Sequence, residues 1–407
     1  VTPSGNESGR PFAIRGRYVF TVSGEVLRDA CVTIAGEKIV AVGENASGRP
    51  AQDLGNVAIL PGFVNAHTHL EFSDLDSPLG SQGTALPAWI RSVVEHRRGE
   101  PEPTEDAIKQ GLNESVAAGV TTLAEIATPG RWSPSFSPTI DVTVFHEVIA
   151  ITEQRRAEAL AAAEKFASGE TQNYRRGLSP HAPYTVDLDT TAKVVTIARR
   201  HGLPVAMHLA ESPQETEYLA TGRGPFAEMF SAMGIDRTKS ASTSYRHYLD
   251  VLARAPRALV IHGNYLSEDD IAMLAEHRDT MAVVYCPRTH SYFGHSRHPL
   301  EKMLAAGCTV ALGTDSRASN PDLSILDEMR TVAREHPTID PRTIVKLGTL
   351  FGARALGRDA SAGSLEPHKV ANLTMIALPE QASRDPYEDL LGSSLKVVAT
   401  YRSGVLI

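Results

Sequence analysis

The sequence predicts an α/β protein: a closed TIM-type (β/α)8 barrel over residues 61–361, with a small composite β-sandwich domain formed by both termini, 1–60 and 362–407. Two observations predict it. Eight apolar, strand-like runs at 57–64, 121–126, 142–148, 176–179, 204–208, 258–261, 281–285 and 308–312 alternate with helical patterns at 104–118, 151–167, 188–200, 268–277, 300–306 and 323–334, the count and span of a barrel. Short β-branched runs at 18–22, 32–34 and 38–42, broken by Gly24 and Gly36, are matched at the other end by runs at 373–377, 395–401 and 404–407. Two strand-rich ends around a different middle make one β unit. An open doubly wound sheet is the alternative on pattern alone, and the lack of a glycine-rich dinucleotide or phosphate motif weighs against it.

Several helices carry their own start signals. Thr104 precedes Glu105 and Asp106, Ser267 precedes Glu268-Asp269-Asp270, and Asp340-Pro341 opens the run toward Leu350. In each a side-chain oxygen meets the free amides of the first turn, and in the first two, acids follow at the positive end of the helix dipole.

Composition excludes some partners. With 407 residues, 42% of them hydrophobic, and a net charge of -8, the chain reads as an ordinary globular protein. A modest negative balance without a Lys/Arg-rich tract argues against nucleic acid. Cys31, Cys286 and Cys308 are too few and scattered for a disulfide framework or a four-thiolate zinc site, which favours a reducing, cytoplasmic setting. No run reaches the roughly 20 apolar residues of a membrane helix, and no signal-peptide pattern opens the chain.

The chemistry is carried by strand ends. In a barrel these converge on one mouth, and here they read His67 and His69, then His181, then His208 with Glu211, then His262, then Asp315. His67 and His69, spaced i,i+2 on an extended segment, face the same side. Buried imidazoles and carboxylates at such positions are costly unless paired or metal-bound. Three imidazoles and one carboxylate suit one divalent ion, zinc in the first place, with iron or manganese also able to use the set. A fourth histidine and an unliganded glutamate point to hydrolysis, since a closed structural site needs no acid–base partner.

The run Pro61-Gly62-Phe63-Val64-Asn65-Ala66-His67-Thr68-His69 resembles the opening signature of the amidohydrolase superfamily, in the branch of adenosine, guanine, cytosine and S-adenosylhomocysteine deaminases and chlorohydrolases. His208-Leu209-Ala210-Glu211 is similar to that branch's metal histidine and its proton-shuttling glutamate, and Gly313-Thr314-Asp315-Ser316 to its last strand end. The resemblance implies one metal on His67, His69, His208 and Asp315, with His262 beside the activated water, Glu211 protonating the substrate ring, and a homodimer. Gly177-Leu178-Ser179-Pro180-His181 lacks the lysine of two-metal branches. The unrelated deaminase signature H-x-E with P-C-x-x-C is not matched, because Cys286 precedes Pro287.

Substrate identity rests on loops. Leu86-Pro87-Ala88-Trp89-Ile90 in the long loop after the first strand, 145–149 with Glu147, 179–186 with His181, and Glu215 with 222–226 resemble aminodeoxyfutalosine deaminases of the alternative menaquinone route. That subgroup removes the 6-amino group of an adenine nucleoside bearing a benzoate, so the implied partner is a small heterocycle. Arg288 or Arg317 is expected to meet its carboxylate, or else to anchor a loop. Glu71 is read as a substrate contact or a support for one, Trp89 as a stacking surface or a helix anchor. Cys286-Pro287-Arg288-Thr289-His290 stands where many relatives have Cys-Pro and then Ser-Asn, and His290 with the neighbouring His295 and His298 is read as substrate contacts, surface residues or a second metal site. The alternatives are deamination of S-adenosylhomocysteine, adenosine, guanine or a pterin, triazine chlorohydrolysis, and a catalytically silent metal-stabilised binding protein.

Overall fold

The computed structural model describes residues 10–407 except 100–104, 131, 133–137, 171–172, 236–242, 382, 384 and 393–394. The N-terminal segment forms β1 (Phe12–Phe20), β2 (Val26–Ala35), β3 (Lys38–Gly43), β4 (Gln52–Asp53) and β5 (Val57–Pro61). The middle supplies β6 (Phe63–Thr68), β7 (Val120–Ala127), β8 (Asp141–Val148), β9 (Arg175–Pro180), β10 (Val205–Leu209), β11 (Ala258–His262), β12 (Met281–Tyr285) and β13 (Thr309–Leu312). Strands β14 (Leu373–Ala377), β15 (Val397–Arg402) and β16 (Val405–Leu406) end the chain.

Strands β6 to β13 lie side by side in chain order as one parallel sheet, with helices between them. Its two ends meet through a parallel bridge between Thr68 and Asp315 and a hydrogen bond from the Asp315 amide to the His67 carbonyl, 3.0 Å. The barrel is closed at that seam. The other sheet runs β16-β15-β14-β5-β1-β2-β3, so the C-terminal strands join the N-terminal ones at the β14–β5 pair and both termini build one sheet, as the sequence predicts. Period-two alternation sets its two faces: Ala58 and Leu60 of β5 join the large core shared with the barrel, whereas Ile59 packs with Val19, Val32, Ile34 and Met375 in a core of the terminal unit.

The apolar run 57–64 is two strands, not one. Residues up to Pro61 pair with β14 in the terminal sheet, and the barrel strand starts at Phe63. Gly62 between them passes so close to Thr121 that an added Cβ would lie 2.2 Å from its hydroxyl oxygen, which only glycine allows. Ser267 and Asp340 cap helices as expected. The Thr104 signal lies outside the described residues, and the helix after it begins at Glu105. The segment around Trp89 is the first turn of a helix, Leu86–Gly99, opened by Pro87, whose fixed φ suits that position.

Candidate metal centre and active-site cavity

Each strand end delivers its side chain to the barrel mouth. His67 lies within β6 with His69 just beyond it, His208 lies in β10, His262 ends β11, and Asp315 follows β13 by three residues. His69 Nε2 and His208 Nε2 lie 3.2 Å apart, and Asp315 Oδ1 lies 3.6 Å from His67 Nε2 and 3.9 Å from His69 Nε2. The ligand atoms of His67, His208 and His262 also fall within 4.8 Å of one another. The His208 Nδ1 hydrogen points at the His181 carbonyl, 3.1 Å away, leaving a bare lone pair on Nε2 facing His69. Burial holds His67, His69 and His262 well below the ordinary histidine range, and His208 at about 4. Neutral imidazoles thus converge on one point beside a carboxylate, and His208 turns a lone pair toward it.

Backbone strain concentrates here. Of the seven non-glycine residues with positive φ among the described residues, Ala210, His262 and Asp315 lie here, at 57°, 70° and 58°. Such conformations are held only by surrounding contacts. Glu215 accepts from the Ala210 and Glu211 amides at 3.2 and 2.8 Å, and Asn65 Oδ1 accepts from the Thr314 amide at 3.1 Å. Gly313 backs onto His67, whose Cβ would lie 2.8 Å from a Cβ added there. Glu211 is buried with Oε1 3.6 Å from His262 Nε2. Burial raises its carboxyl well above the usual range, with Asp315 and Glu215 adding repulsion, which favours its protonated form.

All of the cluster but His67 lines one end of a cavity of about 360 Å³ at the barrel mouth. His69, Glu147, His181, His208, Glu211, His262 and Asp315 line that end, while Leu86, Trp89, Ile90, Val93, Met229 and Phe230 give it an apolar arm. Trp89 is also tied down, its Nε1 donating to the Ala318 carbonyl at 3.2 Å. Glu147 accepts from Thr128 at 3.3 Å, and His181, held at about 3 by burial, shares its Nδ1 with Thr185 at 2.7 Å.

The amidohydrolase family profile matches residues 58–407. The chain belongs to the amidohydrolase family. It is 30% identical over 372 residues to the aminodeoxyfutalosine deaminase of Deinococcus radiodurans, covering 83% of this chain and 84% of that one. It is 29% identical over 388 residues, 89% and 84% of the two chains, to the 5-methylthioadenosine/S-adenosylhomocysteine deaminase of Pelotomaculum thermopropionicum. Its fold matches that of Helicobacter pylori aminofutalosine deaminase in complex with methylthio-coformycin, with a TM-score of 0.82 at 24% identity over 97% of this chain and 100% of that one.

For an amidohydrolase, a divalent ion is the group to test against these residues. His67 Nδ1 and Nε2 and His69 Nδ1 are buried with no hydrogen-bond partner among the described residues. Orphaned buried nitrogens beside a carboxylate cost free energy that a cation would relieve. The donor set therefore fits a nitrogen-and-oxygen-liking ion.

Other expected contacts of this amidohydrolase lie elsewhere. Arg288 is not at the cavity: its Nε meets Glu328 Oε1 at 2.7 Å and its Nη2 meets Asp322 Oδ1 at 2.7 Å. Arg317 grips both oxygens of Glu114, at 3.0 and 3.1 Å, and the Leu75 carbonyl. Both guanidiniums are spent on internal acceptors. Arg288→Ala strands the fully buried Glu328, and urea unfolding should show a loss of about 3–5 kcal/mol with KM almost unchanged. Glu71 stands behind the wall, bound to Arg97 at 2.6 Å and Thr128 at 2.7 Å. His290, His295 and His298 are absent from the cavity lining, and both groups able to share an ion among the described residues lie at the strand-end centre.

Some site residues escaped the sequence reading. Arg97 lines the cavity from the helix Leu86–Gly99, and Arg91 and Arg98 stand exposed at its rim. Buried Glu125 accepts from Thr68 Oγ1 at 2.7 Å and from the Leu70 amide at 3.0 Å, fixing the turn on either side of His69. Its place near the end of an apolar run is the signal that marked His208.

Among the described residues no helix is long and apolar enough to cross a membrane, and Cys31, Cys286 and Cys308 are buried free thiols.

Proposed function

We propose that this chain hydrolyses the 6-amino group of an adenine-type nucleoside, with aminodeoxyfutalosine the favoured substrate, releasing ammonia and leaving the 6-oxo purine. The observation that carries the reading is Glu211, buried in the cavity lining 3.6 Å from His262 and beside His67, His69, His208 and Asp315. Those last four residues would hold a single divalent ion, zinc in the first place, which when bound supplies Lewis acidity and a water made nucleophilic at neutral pH.

The residues divide the proton work. Glu211 gives its proton to the ring nitrogen next to the carbon under attack, making that carbon electrophilic. His262 and Asp315 orient the attacking water and take its proton. In the adduct Glu211 takes the proton of the new hydroxyl as the carbonyl forms, and the proton held by His262 and Asp315 goes to the departing amino group, so one water enters, one ammonia leaves and each residue regains its starting state. Glu147 and His181, on the cavity wall, suit the hydroxyls of a sugar as acceptor and donor. Trp89 closes one side of the apolar arm.

The carboxylate of a benzoate-bearing substrate falls to Arg91 and Arg98 at the rim in place of Arg288 and Arg317. A second reading, a nucleoside with an apolar 5′-thioether, is favoured by the arm of Leu86, Ile90, Val93, Met229 and Phe230. A panel of adenosine, 5′-methylthioadenosine, S-adenosylhomocysteine and aminodeoxyfutalosine, followed by ammonia release and the ultraviolet change from adenine to hypoxanthine, decides between them. The highest kcat/KM is expected on aminodeoxyfutalosine. No turnover of any 6-aminopurine nucleoside would overturn the proposal.

A further inference from the structure

The loop after β12 buries His290 and His298, exposed by 5% and 1%, yet neither lines the cavity nor belongs to a group that could share an ion. Buried imidazoles without a ligand are expensive compared with apolar residues of similar size. Their hydrogen bonds show where they are used.

His298 Nε2 lies 3.0 Å from the backbone carbonyl of His262. A carbonyl only accepts, so the ring hydrogen sits on Nε2 and is donated to it. The ring is fixed by stacking on Tyr285, 3.9 Å between centroids at 20°. His262 is one of the residues forced into left-handed backbone, with φ of 70°, and the bond from His298 falls on its peptide group.

The second histidine reaches Glu211 through an intermediary. Asn264 Nδ2 donates to the Glu211 carbonyl at 2.9 Å, which leaves Asn264 Oδ1 as the acceptor for His290 Nδ1 at 3.2 Å. The chain from His290 to Asn264 to Glu211 therefore runs in one direction, each member donating to the next. On the far side Glu215 accepts from the Glu211 amide at 2.8 Å, so the peptide groups flanking Glu211 are gripped from both sides. Strands β10 and β11 are neighbours, with Leu209 opposite His262. One loop from the next strand thus props the ends of both.

We infer that His298 and His290 are positioning residues: His298 fixes His262, and His290, acting through Asn264, fixes Glu211, so that the loop after β12 sets the geometry of the acid–base pair. The inference rests on the roles given to Glu211 and His262 above. Displacement of reacting groups by a fraction of an ångström to 1 Å costs up to about a hundredfold in rate.

The test uses paired substitutions in the full chain. His298→Gln keeps an amide donor near the Nε2 position and His298→Leu removes it; His290→Asn and His290→Leu do the same at Nδ1. Each leucine variant should lose on the order of tenfold or more in kcat with KM nearly unchanged, and each amide variant should regain most of it. Leucine variants that turn over like the parent, or amide variants that fall as far as leucine, would overturn the inference. A leucine variant that does not fold leaves the amide variant at the same position, together with the other pair, to decide by the same criteria. Crystal structures of the His298 variants give a readout independent of turnover. His262 should stay left-handed with glutamine and leave that region with leucine, and an unmoved His262 in His298→Leu would overturn its part. If the parent chain deaminates no adenine nucleoside, the functional reading fails while this structural comparison still decides the positioning role.

Discussion

Glu211→Gln is expected to lower kcat for deamination by about a thousandfold, within the range of 10²–10⁴ typical of a lost general acid. The amide has nearly the shape of the carboxylic acid and can still donate a hydrogen bond, but it cannot release a proton to the ring nitrogen. The fold should not notice. The contacts that fix residue 211 run through its backbone, from Glu215 and Asn264, and survive the change. Ammonia release measured beside metal content and thermal midpoint therefore isolates the chemistry. A variant retaining more than about a tenth of parental turnover would remove Glu211 from the proton path.

Stripping the divalent ion with a chelator should abolish turnover and lower the thermal midpoint, and re-adding one equivalent of zinc, ferrous iron or manganese should restore both. The reason lies in His69 Nε2 and His208 Nε2, 3.2 Å apart, of which at least the second is an unprotonated lone pair. Without a cation the pair shares one hydrogen at most, and His67 Nδ1 and Nε2 and His69 Nδ1 stay buried with no partner among the described residues. An ion bound a thousandfold above its dissociation constant stabilises the native state by about 4 kcal/mol, enough to move a melting transition by several degrees. His208→Ala should bind the ion far more weakly and stay inactive on re-addition. Full turnover by a preparation whose metal content has fallen below about a tenth per chain would exclude a catalytic ion.

The barrel was legible because most of its strands are short apolar runs, several closed by one polar residue, and the topology brings those residues together without any knowledge of pairing. His208, His262 and Asp315 were found that way, and Glu125, obeying the same rule, was passed over. The split of 57–64 was hidden because its two halves differ only in their partners, one of which lies more than 300 residues downstream in β14. The choice for Arg288 and Arg317 between a ligand contact and a loop anchor was open for a related reason. Nothing local tells that Glu328, Asp322 and Glu114 arrive opposite them, whereas a buried guanidinium always takes the nearest carboxylates. The helix Leu86–Gly99 was missed because Pro87 reads equally as a loop residue, and with that helix went the rim arginines.

The seam that closes the barrel also orders events in time. Thr68 and Asp315 bridge there, and beside them Asn65 Nδ2 meets Thr314 Oγ1 at 2.8 Å across 249 residues of chain. Contacts of such separation form late, because loop-closure entropy must be met before they stabilise anything. On the ribosome His67 and His69 emerge long before Asp315, and until the ring shuts they have no carboxylate beside them. The complete donor set is therefore a property of the finished fold, and tight ion uptake during refolding should coincide with the slowest phase.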